Sequence, residues 1–235
     1  MAQPWIVLDR IATAEGVLEL RQRGPRDFLI TVGGLVLMNS LAHRSEVVLG
    51  QLACAGLATA AAPRVLVGGL GMGFTLRAVL DALPAAAAVT VAELNPVVLD
   101  WCKGALAPLT AAAAADPRVT VTLADVAAVV KNVPAAAFDA IVFDLYKGPH
   151  PRSDRRDDPL YGSRAIAAAY RALRPGGVFT VWGEVPDAAF EERLRQGGFS
   201  VTTSRPGRGG LRHCVFVARR AAAPAKSVAS KGRRP

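Results

Sequence analysis

Apolar positions along the chain repeat with two different periods. Four short runs near the start alternate as strands do: Trp5 to Leu8, Gly16 to Leu20, Phe28 to Val32 and Leu35 to Met38. Gly24-Pro25 and Gly33-Gly34 fall between runs and suit tight hairpin connections. They predict a small antiparallel β unit over residues 1–44. Hairpin strands are marginal alone, so this unit is expected to pack on the main domain or on a partner subunit. Residues 45–60 lack proline and carry apolar spacing compatible with a helix. From residue 63 strands and helices alternate, with strands at 65–67, 89–92, 119–123, 138–143 and 177–182. Helices are predicted at 74–83, 96–106, 124–130, 163–173 and 187–196, and residues 199–204 and 212–218 close the domain as an antiparallel hairpin. This pattern predicts an α/β fold, a Rossmann-like doubly wound sheet over residues 45–220. Ligands of such sheets bind beyond the carboxyl ends of the strands.

The chain has 235 residues, 51% of them hydrophobic, which excludes global disorder. No apolar run reaches the roughly 18 residues of a membrane helix. Met1 to Arg10 lack a signal-peptide layout, so the expected location is cytoplasmic, with no membrane partner. The net charge of +9 raises the question of nucleic acid, but six basic residues lie from Arg219 onward without an acidic one, leaving +3 for the rest. The excess therefore belongs to a basic tail over residues 221–235, expected to be a disordered appendage, and the charge argues against a nucleic-acid partner. Cys54, Cys102 and Cys214 are far apart, with no CxxC pair, which excludes a local zinc cluster. They read as small buried residues, and no metal is expected.

The candidate chemistry gathers at the carboxyl ends of the predicted strands. Val65-Leu-Val runs into Gly69-x-Gly71-x-Gly73 and then a helix, a turn that brings backbone close to a ligand. A dinucleotide fingerprint would need its third glycine at position 74, which is Phe74, and no P-loop triplet follows. Glu93 ends the second strand 24 positions after Gly69, near the offset of roughly 20 at which a carboxylate meets a ribose. Asp125 ends the third strand, where it could accept from an adenine amine, cap the next helix, or both. Asp144 ends the fourth strand. A carboxylate there can hold or deprotonate an attacking amine. Tyr146 and His150 are its candidate helpers, and Asp139, at the opposite end of the strand, is expected to be structural. The polar stretch from Pro151 to Pro159 reads as a substrate lid, with Tyr161 beyond it as a further substrate-binding candidate.

These residues resemble the spermidine synthase family, the polyamine aminopropyltransferases. The likeness covers roughly residues 28–183. It rests on Gly69 to Gly73, Glu93, Asp116-Pro-Arg-Val119, Asp125, Phe138 to Asp144 and Leu173-Arg-Pro-Gly-Gly177. It implies S-adenosylmethionine or its decarboxylated form as co-substrate, with Glu93 on the ribose and Asp125 near the adenine. It also implies Asp144 near the acceptor amine, and a homodimer. The chain departs from the family at Met72, where an aspartate usually binds the donor's amine. It departs again at Asp144-Leu-Tyr-Lys147, which replaces an Asp-Ser-Ser-Asp run. The aromatic and glutamine pair expected near residues 45–51 is missing, and Glu46 is the candidate to compensate. Three readings follow. The first is a spermidine synthase-like transferase moving an aminopropyl-type group to a small-molecule amine. The second is an S-adenosylmethionine-dependent methyltransferase. The third is a non-catalytic ligand-binding scaffold.

Overall fold

The two periodicities resolve into two sheets. The computed structural model describes residues 3–146, 148–150, 157–206 and 213–223. Lys147, residues 151–156 of the expected lid, the start of the last predicted strand at Arg212 and the tail from residue 224 lie outside the described residues.

The first sheet is a four-stranded antiparallel meander of β1 (Ile6–Thr13), β2 (Gly16–Arg23), β3 (Asp27–Val32) and β4 (Leu35–Asn39). β1 runs five residues past the predicted end at Leu8, because its register on β2 shifts at Val7/Asp9 and then continues to Thr13↔Gly16. The inner residues Leu18, Leu20, Phe28, Ile30 and Val32 belong to one hydrophobic cluster with Leu49, Leu70, Met72 and Trp101 of the main unit. The Trp101 indole N–H adds a 2.8 Å bond to Asp9. The small sheet thus packs on the main domain of its own chain.

The second sheet has seven strands in the order β10-β11-β9-β8-β5-β6-β7. β5 (Arg64–Gly68), β6 (Ala88–Glu93), β7 (Val119–Leu123), β8 (Phe138–Phe143) and β9 (Leu173–Gly183) are parallel neighbours, while β10 (Phe199–Ser204) and β11 (Cys214–Arg220) close the edge antiparallel. This is the Rossmann-like methyltransferase-type topology. Val65, Leu66 and Val67 are fully buried, as a central strand covered on both faces requires. The helices are α1 (Arg44–Cys54), α2 (Phe74–Ala82), α3 (Pro96–Lys103), α4 (Val126–Asn132), α5 (Ser163–Ala172) and α6 (Ala188–Gln196). α3 opens on Pro96, and α6 is capped by Asp187, whose carboxylate accepts from Phe190 N at 3.0 Å. α1 stops at Cys54, short of the predicted 60, and the chain turns at Gly56 with φ +91°. β9 begins at Leu173, four residues before the predicted start, because Phe138 already pairs with Leu173. Asp139 is structural as expected: it accepts from Arg64 N at 2.8 Å and pairs with Arg174 at 2.9 Å. Among the described residues no helix is long and apolar enough to cross a membrane.

Candidate active site

The strand order reverses between β5 and β8, so the loops leaving these two neighbours diverge and open a crevice at their carboxyl ends. Three backbone bonds fix its rim: Asp144 N to Gly68 O at 2.9 Å, Gly69 N to Ala92 O at 2.9 Å, and Ala124 N to Glu93 O at 3.0 Å. Gly69 turns with φ +86°, and a Cβ there would lie 2.3 Å from the Asp144 carbonyl oxygen. Only glycine meets both demands.

Glu93 is buried, and each carboxylate oxygen takes one backbone donor, Leu70 N at 2.9 Å and Asn95 N at 2.8 Å. An ionised carboxylate has about four acceptor positions, so capacity remains for a ligand hydroxyl pair. Asp125 caps α4 by accepting from Ala127 N at 2.9 Å, while the residue stays exposed at the rim. A cavity of about 600 Å³ joins these groups. Gly69, Gly71, Glu93, Asp125 and Asp144 form one wall, and Leu18, Ile30, Val32 and Leu37 of the small sheet roof it.

Gly73 does not line this cavity. It precedes α2 in a left-handed conformation and faces Thr110, so it shapes the turn from behind. Met72 is fully buried in the hydrophobic cluster, and its amide points to the Met38 sulfur at 3.3 Å.

Asp144 lines the first cavity, near enough to Glu46 of a second cavity to feel its charge. Its Oδ2 accepts from the Thr75 hydroxyl at 2.6 Å, and Thr75 Oγ1 also lies 3.2 Å from Glu46 O. Gly50 makes this meeting possible: a Cβ there would lie 2.9 Å from both Ala78 Cβ and Thr75 O, so a glycine lets α1 lie close on α2. Burial pushes the Asp144 carboxyl up to about 7, the negative charge of Glu46 adds to the rise, and the Thr75 bond opposes it.

The second cavity, of about 900 Å³, is lined by Glu46, Tyr146, His150, Tyr161, Trp182 and His213, with Asp158 and Glu184 beside them. Tyr146 lines both cavities. The Tyr161 hydroxyl is buried without a hydrogen-bond partner among the described residues. Its burial, with Asp158 and Asp144 nearby, pushes the phenol above its ordinary range. A third hollow, between the β4–α1 connection and α2, includes His43, Phe74 and Arg77 but none of the candidate residues.

The sequence candidates therefore fall into two adjoining groups, with Gly73 one step back. Sequence reasoning missed Ser45, Thr75, Trp182, Glu184 and His213, while Asp158 falls at the end of the stretch read as a substrate lid. The carboxyl-end rule already pointed at Trp182-Gly-Glu184, at the end of β9. His213 gave no signal, because only the antiparallel register Cys214↔Gly183 carries it to that end of the sheet. The three cysteines are buried and free, each thiol pushed up to about 12 mainly by burial. Among the described residues no group of three or more His, Cys, Asp or Glu could hold a metal ion.

Residues 50–192, more than half the chain, match the spermine/spermidine synthase domain. The chain belongs to this family. Within it, the chain is 38% identical over 121 residues to putrescine N-methyltransferase 3 of Nicotiana tabacum, covering 52% of this chain and 30% of that protein. It is 33% identical over 146 residues to a polyamine aminopropyltransferase of Mycobacterium tuberculosis, covering 59% of this chain and 27% of that protein. The chain thus spans under a third of the length of the curated relatives it matches. The spermidine synthase of Thermotoga maritima shares the fold, with a TM-score of 0.70 at 18% identity over 93% of this chain and 74% of that one. A spermidine synthase in complex with the transition-state analogue AdoDATO does so with a TM-score of 0.71 at 19% identity, over 93% and 75% of the two chains.

Proposed function

We propose that this family member is a spermidine synthase-like transferase that moves an alkyl group, of the aminopropyl type, from an S-adenosylmethionine-type sulfonium donor to a small-molecule amine. The observation that carries the reading is Asp144: a carboxyl lining the first cavity, pushed up to about 7 by burial and by the charge of Glu46, which lines the second. An amine enters water-borne as an ammonium with a pKa near 10, and it is nucleophilic only after losing a proton. An ordinary carboxylate is a poor base for that proton, roughly six units too acidic; at about 7 the gap halves, removing ~4 kcal/mol from the uphill step.

The donor supplies an electrophilic carbon and leaves as a neutral thioether. This chain's residues bind and align. Glu93 accepts the ribose hydroxyls, Asp125 offers its free oxygen to the adenine amine, and Gly69 and Gly71 let the backbone approach. Tyr146, on both cavities, and Tyr161 and His150 line the path of the amine. Asp144 takes a proton from the bound ammonium, the freed lone pair then forms the C–N bond as the C–S bond breaks and the thioether leaves, and Glu46 adds a negative charge for the ammonium that enters and the one that forms. The shared roof of Leu18, Ile30 and Val32 excludes water from the donor side.

Methyl transfer is the second reading. It is favoured by the similarity to putrescine N-methyltransferases and by Met72, which puts a buried apolar side chain where the family's donor-amine aspartate is expected. Calorimetry with S-adenosylmethionine and its decarboxylated form separates the two, and product mass from labelled donor identifies the group moved. More than tenfold tighter binding of the carboxylated donor overturns aminopropyl transfer. Absence of binding by either donor leaves the non-catalytic scaffold. The homodimer is supported by exposed apolar residues on the small sheet, Ile6, Leu8 and Leu35 among them, and light scattering measures it.

A further inference from the structure

The acceptor cavity is built from α1, the loop after β8 and the end of β9, yet one of its lining groups comes from the last hairpin. His213 immediately precedes β11, and the pairing Cys214↔Gly183 sets it beside the end of β9. Its ring meets the Trp182 indole edge-on, with centroids 5.0 Å apart at 66°. His213 Nδ1 lies 3.1 Å from Ser45 Oγ, and Ser45 Oγ donates to Glu46 Oε2 at 2.7 Å. Ser45 and Glu46 are both buried at the start of α1.

We propose that His213 is a positioning residue for the acceptor amine, acting through the Ser45 hydroxyl to hold Glu46 as an oriented carboxylate facing the same site as Asp144. The inference rests on the alkyl-transfer reading for its substrate and on the side-chain chain alone for its geometry.

One hydrogen decides which way the Ser45 hydroxyl points. A serine hydroxyl has a single proton to donate and accepts through its lone pairs. While Nδ1 of His213 carries a proton and donates to Ser45 Oγ, the Ser45 proton is directed at Glu46. If Nδ1 becomes an acceptor, the same proton is drawn to His213, and a buried carboxylate loses its donor. A buried charge without hydrogen bonds is strongly disfavoured, so Glu46 would then turn away from the position in which it faces the amine. The hairpin thereby sets the orientation of the acceptor-site carboxylate from a distance.

The charged and titratable groups around His213 are few and named: Glu46 on α1, Glu184 after β9, Tyr146 and His150 after β8, Asp158 and Tyr161 before α5. Arg205, just after β10, and the carboxylates Glu191 on α6 and Asp187 at its cap are near enough to act on the neighbouring Cys214. Among the described lining residues of this cavity there is no lysine or arginine, so its field favours a cation. The Trp182 indole packs edge-on against the imidazole and so helps to hold the ring at Ser45.

The test uses the full chain with three variants, His213→Gln, Ser45→Ala and the double variant, with donor affinity, acceptor KM and kcat measured separately. Acceptor KM is expected to rise at least fivefold in each single variant, with donor affinity within twofold of the parent. The double variant is expected to match the singles rather than multiply them, since all break one chain. An unchanged KM, or multiplicative effects, overturns the proposal. A second measurement needs no turnover and so separates this inference from the alkyl-transfer reading. Followed by NMR at fixed pH, the His213 ring resonances should move in Ser45→Ala and in Glu46→Gln relative to the parent, because the Nδ1 contact runs through Ser45 to Glu46. Resonances that do not move in either variant refute the coupling whatever reaction the protein performs.

Discussion

Replacing Asp144 by asparagine removes a charge while keeping an acceptor oxygen for the Thr75 hydroxyl, so the fold should survive and the chemistry should not. The carboxyl stands at about 7 in the folded protein against 3.8 for the ordinary group. The sign follows from linkage. Below the unfolded value both states are protonated and nothing is lost. Between about pH 4 and 7 the folded state keeps a proton that the unfolded state has released, so stability falls as pH rises; above 7 the loss levels off. Three units correspond to ~4 kcal/mol, of which the two units between pH 5 and 7 contribute ~3 kcal/mol. Asparagine carries no such dependence. Urea unfolding of both proteins at pH 5 and pH 8 should therefore show the variant gaining ~3 kcal/mol on its parent over that range. Turnover of the variant should fall at least a hundredfold, in the range general-base removal produces. In the parent, kcat/KM should climb with pH through about 7. A stability difference that changes by less than ~1 kcal/mol would mean that the carboxyl is not dry, and the case for its basicity falls with it.

Glu93→Ala should weaken donor binding at least tenfold, since a charge-assisted bond of ~1.5 to 3 kcal/mol is lost; calorimetric affinity within twofold of the parent contradicts the ribose assignment. Gly69→Ala should destabilise the protein by more than ~2 kcal/mol, because it combines a φ of +86° with a Cβ 2.3 Å from the Asp144 carbonyl oxygen. A melting temperature equal to the parent's would show that this turn is not as tight as described. Tyr161→Phe removes a buried hydroxyl that lacks a partner among the described residues, so thermal stability should hold or rise while acceptor KM increases severalfold. A drop in stability with unchanged KM assigns the hydroxyl to the fold alone.

Much of this architecture is readable from residue order because the relevant signals are local. The Gly69 turn, the fully apolar β5 and the strand-ending acids Glu93, Asp125 and Asp144 each sit within a few residues of what defines them. Asp125 shows the limit of that reading: the helix cap is present, and the exposed rim position leaves its second role to a ligand. Boundaries were less legible where pairing decides them. β1 extends to Thr13 because β2 offers it partners, and β9 begins at Leu173 because Phe138 does. The overlong helix at 45–60 reflects alanine-rich composition, which favours helix where Gly56 ends it. The acceptor half was hardest. Thr75 meets Asp144 across 69 positions and Ser45 meets His213 across 168, contacts that only the folded sheet creates.

The roof over the cavity that holds Glu93 shares its hydrophobic cluster with the body beneath it. Leu20, Ile30 and Val32 interleave with residues of α1, the glycine turn and α3, so the boundary near residue 44 divides the chain but not the core. Transplanting the first 44 residues onto a relative would therefore mean transplanting their counterparts on α1 and α3 as well. His150, Glu184 and His213, which line the second cavity, lie outside that cluster, so substitutions there leave the interlock between the two sheets intact.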